Sequence, residues 1–180
     1  MTPTPLTIHT DSEERNMPTS DAEGKAWSKE RVDEFDPKFV IDVGPGVGTY
    51  SNLLRKPGQH WTGIEAFGPY VNAYNLNAKY DYVVVEDVRK HKFSPTDLII
   101  LGDVLEHMTQ NEAKNVIRRA KRAARAVLIS VPVLHLDQDA VNGNTFERHV
   151  EHWTFDQMDT FFKPKDSFRG EVLAAFWWEK

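Results

Sequence analysis

A chain of 180 residues with 40% apolar and 11% aromatic side chains supports one sizeable core and is short for two. Its 22 basic and 27 acidic side chains sum to −5, which argues against broad affinity for polyanions, and the lack of cysteine removes disulfides, thiolate metal sites and a cysteine nucleophile. No apolar run approaches the ~20 residues a membrane helix needs, and Met1-Thr-Pro-Thr-Pro has neither the basic start nor the apolar stretch of a secretion signal; the expectation is a cytoplasmic protein with no membrane contact.

Residues 1–24 hold five apolar side chains, three prolines and no aromatic, a composition that predicts a disordered N-terminal arm ahead of a single domain over 25–180. Trp27, Val32 and Phe35 among charges predict a short amphipathic helix over 25–35. From Phe39 onward, short apolar runs alternate with helix-length segments. Strands are expected at Phe39–Val43, Trp61–Glu65, Tyr82–Val85, Leu98–Leu101 and Ala126–Val131, with near-continuous apolar character that suits burial on both faces. A capping box at Thr109 and Glu112 and the stripe Ala113, Val116, Ile117, Ala120, Ala124 predict a helix over 110–124; a second box at Thr154 and Gln157 opens a helix bearing Phe155, Met158, Phe161 and Phe162. Val172–Trp178 reads as a last strand. The alternation predicts an α/β fold with a doubly wound, mostly parallel sheet, with only minimal strands at the C-terminus.

The most informative stretch is Val40-Ile-Asp-Val-Gly-Pro-Gly-Val-Gly-Thr49. Gly44, Gly46 and Gly48 follow the first strand and precede a short helix, where bare backbone turns tightly and approaches a ligand beside a helix N-terminus. Glu65 closes the next strand, 23 residues past Asp42, where a carboxylate can accept both hydroxyls of a ribose. The spacing GxGxG differs from the GxGxxG of dinucleotide sites, and an aspartate directed into this loop would repel a pyrophosphate while orienting a cationic amino-acid group.

Over roughly residues 38–162 the chain resembles the class I S-adenosylmethionine-dependent methyltransferases. The resemblance implies that Asp42, Gly44, Gly46 and Gly48 surround the methionine part of S-adenosylmethionine and that Glu65 holds its ribose. Asp87 and Val88 would flank the adenine, and Asp103, in Asp97-Leu-Ile-Ile-Leu-Gly-Asp103, would lie where cofactor meets substrate.

Two histidine-bearing places bear on the methyl acceptor. One is Asp103, Glu106 and His107, at i, i+3, i+4; the other is the 22-residue segment 132–153 with His135, His149 and His152. Such a long connection at the carboxyl end of a strand is expected over the ligand crevice. Similarity to small-RNA 3′-terminal 2′-O-methyltransferases and to Leu-Glu-His-type O-methyltransferases of the ubiquinone pathway implies a divalent metal (Mg²⁺, Mn²⁺ or Zn²⁺) on Glu106, His107 and one of His149 or His152. The same residues also allow a metal-free site with His149 or His152 as general base, or plain bracing of the loop.

A poor nucleophile such as a sugar or phenol hydroxyl needs such help, so the expected reaction is O-methylation of a small saccharide- or polyol-like molecule. The alternatives are ribose 2′-O-methylation at an RNA end, which the acidic charge disfavours, a non-catalytic S-adenosylmethionine-binding module, and a nicotinamide dehydrogenase. The basic run Arg118–Arg125 is a candidate phosphate contact. Trp177 and Trp178 suggest a homo-oligomer contact through the terminal strand.

Overall fold

The structure, a computed structural model, describes residues 21–180. In chain order it comprises α1 (Lys25–Phe35), β1 (Phe39–Val43), α2 (Thr49–Leu54), β2 (His60–Glu65), α3 (Pro69–Ala73), β3 (Tyr82–Val85), β4 (Thr96–Gly102), α4 (Gln110–Ala123), β5 (Ala124–Pro132), α5 (Phe155–Phe162), β6 (Asp166–Arg169) and β7 (Leu173–Glu179). The seven strands form one sheet in the order β3-β2-β1-β4-β5-β7-β6. The first five run parallel, and β7 pairs antiparallel to both β5 and β6.

Two apolar layers cover the sheet. On one face α4 contributes Ala113, Val116, Ile117 and Ala120, and α5 adds Met158 and Phe162, against Ile99, Leu101, Val127 and Ile129. On the other, Val32 of α1 and Tyr50 and Leu54 of α2 pack on Val40, Leu98, Ile100 and Leu128. Alternation along β4 and β5 sends successive side chains to opposite faces, and both faces are apolar, which is why these strands read as unbroken runs. Thr109 and Thr154 both form the expected reciprocal boxes with Glu112 and Gln157, each stabilising its helix start by about 1 kcal/mol.

Two expectations are corrected. The chain end forms a hairpin rather than one strand, because the polar Asp166-Ser-Phe-Arg169 is an outer strand that needs only one covered face. Both edges of β7 are paired, and Trp177 is buried against Phe35. Most of the expected arm, 1–20, lies outside the described residues, but 21–24 do not form a solvated tail: the Glu23 carboxylate accepts the N–H groups of Val172 and Leu173.

The order of the strands places a switch point between β1 and β4, neighbours whose following connections leave in opposite directions. Register aligns Val43 with Ile64 and with Leu101, and Glu65 with Val85, so four strands end at one level. Ligand crevices of open α/β sheets form there.

Candidate active site

A cavity of about 420 Å³ lies above these strand ends. Gly44 and Gly46 line it from the β1 turn, Glu65 from β2, Asp87 and Val88 from the residues after β3, and Asp103, Glu106 and His107 from those after β4. The long segment 132–153 forms the facing wall through Leu136, Gln138, Asn144, Phe146, Glu147 and His149.

The turn depends on glycine. Gly44, Gly46 and Gly48 all have positive φ, at 62°, 51° and 84°, a region where other L-residues are strained. A Cβ on Gly44 would also stand 2.7 Å from Val104 Cγ2. Gly48 does not line the cavity; it faces Lys79, whose ammonium binds the Val47 carbonyl and buttresses the turn from behind.

Asp42 is likewise absent from the cavity lining. It is 1% exposed, and Tyr80 donates a hydrogen bond to Oδ2 at 2.6 Å. Burial pushes its pKa up to about 7. Trp61, Tyr70 and Tyr80 are all buried in packing.

Glu65 sits as expected, 5% exposed, with Oε1 accepting the Phe67 N–H at 2.8 Å. Burial raises its pKa to about 7, and the Glu147 carboxylate pushes the same way. Asp87 lines the cavity while its two oxygens are gripped by the Arg89 guanidinium at 2.7–3.0 Å, so the acid after β3 is held rigidly. The lining carries the carboxyl groups of Asp21, Glu65, Glu86, Asp87, Asp103, Glu106 and Glu147 against one guanidinium, Arg89. Such a field favours a cationic ligand and opposes the pyrophosphate of a dinucleotide. The exclusion assigned to Asp42 is thus exercised by its neighbours.

At the far side, the residues after β4 turn through Asp103, whose φ is 54°, into a short 3₁₀ turn, Leu105–His107. Asp103 Oδ1 accepts the Ser130 hydroxyl at 2.9 Å, and Oδ2 lies 3.8 Å from Lys25 Nζ. Lys25 also donates to the Tyr50 hydroxyl at 3.0 Å, and burial lowers its pKa. Neither Lys25 nor Glu147 was singled out in the sequence; Glu147 lines the cavity and Lys25 sits behind its Asp103, both through contacts distant in the chain.

Glu106 is 3% exposed, its Oε2 has no hydrogen-bond partner among the described residues, and burial holds its pKa far above the ordinary carboxyl value. The 132–153 segment is fastened over it, because the Glu106 carbonyl accepts the N–H groups of Val150 and Glu151 at 2.8 and 3.0 Å. This places the His149 ring 5.1 Å from that of His107. Ligand-capable atoms of Glu106, His107 and His149 all lie within 4.8 Å of one another. His107 Nδ1 meets the Arg148 carbonyl at 3.2 Å and His149 Nδ1 the Leu136 carbonyl at 2.6 Å. A carbonyl only accepts, so in both rings Nδ1 is the donating nitrogen of that contact. Burial holds His107 down to a pKa of about 4, neutral at pH 7.

His152 does not join this group. It packs edge-on against His135 at 5.1 Å, in a second cavity of about 270 Å³. Glu106, Leu136, Pro132 and His149 line both cavities and form the wall between them. Of the basic run, Arg119 binds the carbonyls of Val88 and His91 and Lys121 that of Phe162, Arg125 on β5 pairs with Asp97, and Arg118 and Arg122 are exposed.

Residues 41–127, which span the glycine turn to β5, match a family model described as a methyltransferase domain. No curated protein sequence matches the chain. Among solved structures it is similar to an S-adenosylmethionine-dependent methyltransferase from Clostridium acetobutylicum, at 9% identity over 89% of this chain and 92% of that one, with a TM-score of 0.67. It is also similar to the N-terminal domain of EvdMO1, crystallised in the presence of SAH and D-fucose, at 11% identity over 88% and 82% of the chains, TM-score 0.62. The methyltransferase domain of bacterial CtHen1 gives 16% identity over 87% and 97%, TM-score 0.63. At these identities the likeness is one of fold. With this strand order, and with the family match across its glycine turn, residues 41–127 carry a methyltransferase domain on a class I α/β methyltransferase fold.

Proposed function

We propose that the protein moves a methyl group from S-adenosylmethionine to a hydroxyl oxygen of a small saccharide- or polyol-like molecule. The cofactor's sugar diol meets Glu65, its adenine lies along Asp87 and Val88, and its methionine part passes bare backbone at Gly44 and Gly46. The acidic lining complements the sulfonium, and a bound diol gives the buried Glu65 the hydrogen bonds that favour its ionised form. The acceptor enters the second cavity, whose size suits a single ring rather than a chain, and meets the methyl at the shared wall. A sulfonium is already a strong electrophile, so the protein's work is in-line alignment and removal of the hydroxyl proton. The observation that carries this reading is the position of His149, which lines both cavities beside Glu106 with its Nδ1 held by the Leu136 carbonyl.

A second reading has a specific observation behind it. Glu106, His107 and His149 form a compact oxygen–nitrogen–nitrogen set whose two imidazoles are oriented by backbone carbonyls, as metal-bound histidines commonly are. These residues would hold a divalent ion, which would polarise the acceptor oxygen. A chain ending in ribose, the alternative acceptor, brings phosphates toward Asp103 and Glu147, and the charge opposes it.

The experiment is a turnover assay for S-adenosylhomocysteine formation across sugars, polyols and short RNAs, with EDTA, Mg²⁺ or Mn²⁺ in parallel arms. Turnover on a sugar or polyol that survives EDTA and is lost in His149→Ala supports the histidine-base reading. Loss in EDTA with recovery in Mn²⁺ moves the reaction to the metal. Turnover on RNA alone overturns the small-molecule reading.

A further inference from the structure

Glu23 lies two residues before α1, and its carboxylate occupies the turn between β6 and β7. Oε2 accepts the N–H groups of Val172 at 2.8 Å and Leu173 at 2.9 Å, and Oε1 that of Glu171 at 3.3 Å. Converging amides in one turn make a nest for an anion. Gly170 beside it has no room for a side chain: a Cβ there would collide with Glu23 Oε2 and the Leu173 carbonyl. These hydrogen bonds hold the Glu23 pKa below its ordinary value.

Val172 ties in a third segment. Its carbonyl accepts the N–H groups of Val133 at 2.8 Å and Leu134 at 3.3 Å, at the root of the loop that carries His149. Val172 and Leu173 line the main cavity, as does Asp21, two residues before Glu23. Two residues after it stands Lys25, against Tyr50 and Asp103. Three stretches remote in sequence therefore meet around one carboxylate, all of them at the cavity.

We propose that Glu23 is a positioning residue of the active site: by clamping the residues ahead of α1 to the β6–β7 turn, it sets Lys25 against Asp103 and steadies the root of the His149 loop. The alternative is a staple that adds stability and nothing else. The two differ at Lys25, which faces Asp103, Asp21, Glu106 and Asp42 and owes its lowered pKa to burial. Only a positioning role makes that burial depend on Glu23.

The test compares wild type with E23A and E23Q, using S-adenosylhomocysteine titration and NMR titration of the Lys25 side chain. E23A is expected to bind about tenfold more weakly and to let Lys25 titrate closer to its ordinary range. E23Q keeps the length and one accepting oxygen, and is expected to stay within about threefold of wild type. E23A matching wild type in affinity and in the Lys25 titration overturns the proposal. The reading of the cavity as a cofactor site is judged separately: a wild type that fails to bind counts against that reading, while the Lys25 titration, which needs no ligand, still decides on Glu23. If E23A does not fold, amide exchange in wild type decides. Val133, Leu134, Val172 and Leu173 opening as one unit below global unfolding supports the clamp, and independent opening contradicts it.

Discussion

Tyr80 donates its hydroxyl proton to Asp42 Oδ2 at 2.6 Å, beneath the strand end from which the glycine turn departs. The other carboxyl oxygen of Asp42 has no partner among the described residues. Removing the phenol oxygen would leave a fully buried acid with no hydrogen bond at all. Tyr80→Phe is therefore expected to destabilise the fold by about 1–3 kcal/mol, measured by urea unfolding, although Tyr80 does not line the cavity.

Stability should fall as the solution becomes alkaline. Asp42 and Glu65 have pKa values raised from 3.8 and 4.5 to about 7. An acid whose folded pKa is raised contributes stability that is complete below its unfolded value and lost as pH rises through the folded one. His107, lowered from 6.5 to about 4, acts oppositely, losing stability as pH falls across that range. The melting temperature is thus expected to drop between pH 6 and pH 8. Asp42→Asn, which keeps an oxygen for Tyr80, is expected to show a shallower drop in the same scan.

The glycine turn should tolerate no side chain at its first position. Gly44→Ala places a methyl group against Val104 Cγ2 in a left-handed backbone conformation. The strain of ~1–2 kcal/mol adds to a shift of the Val104 wall of the cavity. Weaker S-adenosylhomocysteine binding with only a modest fall in melting temperature is expected, checked by calorimetry and thermal denaturation together.

The two histidines of the long loop should separate in kinetics. His149 stands at the wall with Glu106, and His152 lies in the outer cavity with His135. Loss of a general base typically costs ~10²–10⁴-fold in rate, so His149→Ala is expected to lower kcat on that scale. His152→Ala is expected to raise KM for the acceptor and leave kcat near wild type. Steady-state kinetics on an accepted sugar or polyol gives both numbers.

The strands and the two capped helices could be read from sequence because they obey local rules: both-face burial produces unbroken apolar runs such as Leu98–Leu101, and Thr109 and Thr154 announce their helices with reciprocal boxes. Gly44, Gly46, Glu65, Val88 and Asp103 line the cavity because strand ends at a switch point fix their own surroundings. Asp42 lies outside that lining, since pleat alternation turns its side chain down to Tyr80. The choice between His149 and His152 rests on how an irregular loop fastens to the Glu106 carbonyl, and no periodicity encodes that. Glu23 was read as part of a tail because its partners lie some 150 residues away. The outer strand β6 escaped notice because Phe168 is its single apolar residue.

Calorimetric titration of wild type and Glu65→Ala with S-adenosylhomocysteine tests the cofactor assignment most directly. The cavity geometry predicts a micromolar dissociation constant for wild type, roughly −8 kcal/mol. Losing the bonds from two ribose hydroxyls to a buried carboxylate, at ~1.5–3 kcal/mol for a charged group, predicts weakening of at least about tenfold in the variant. Equal affinity in the two proteins, or binding of NADH in place of S-adenosylhomocysteine, would contradict it.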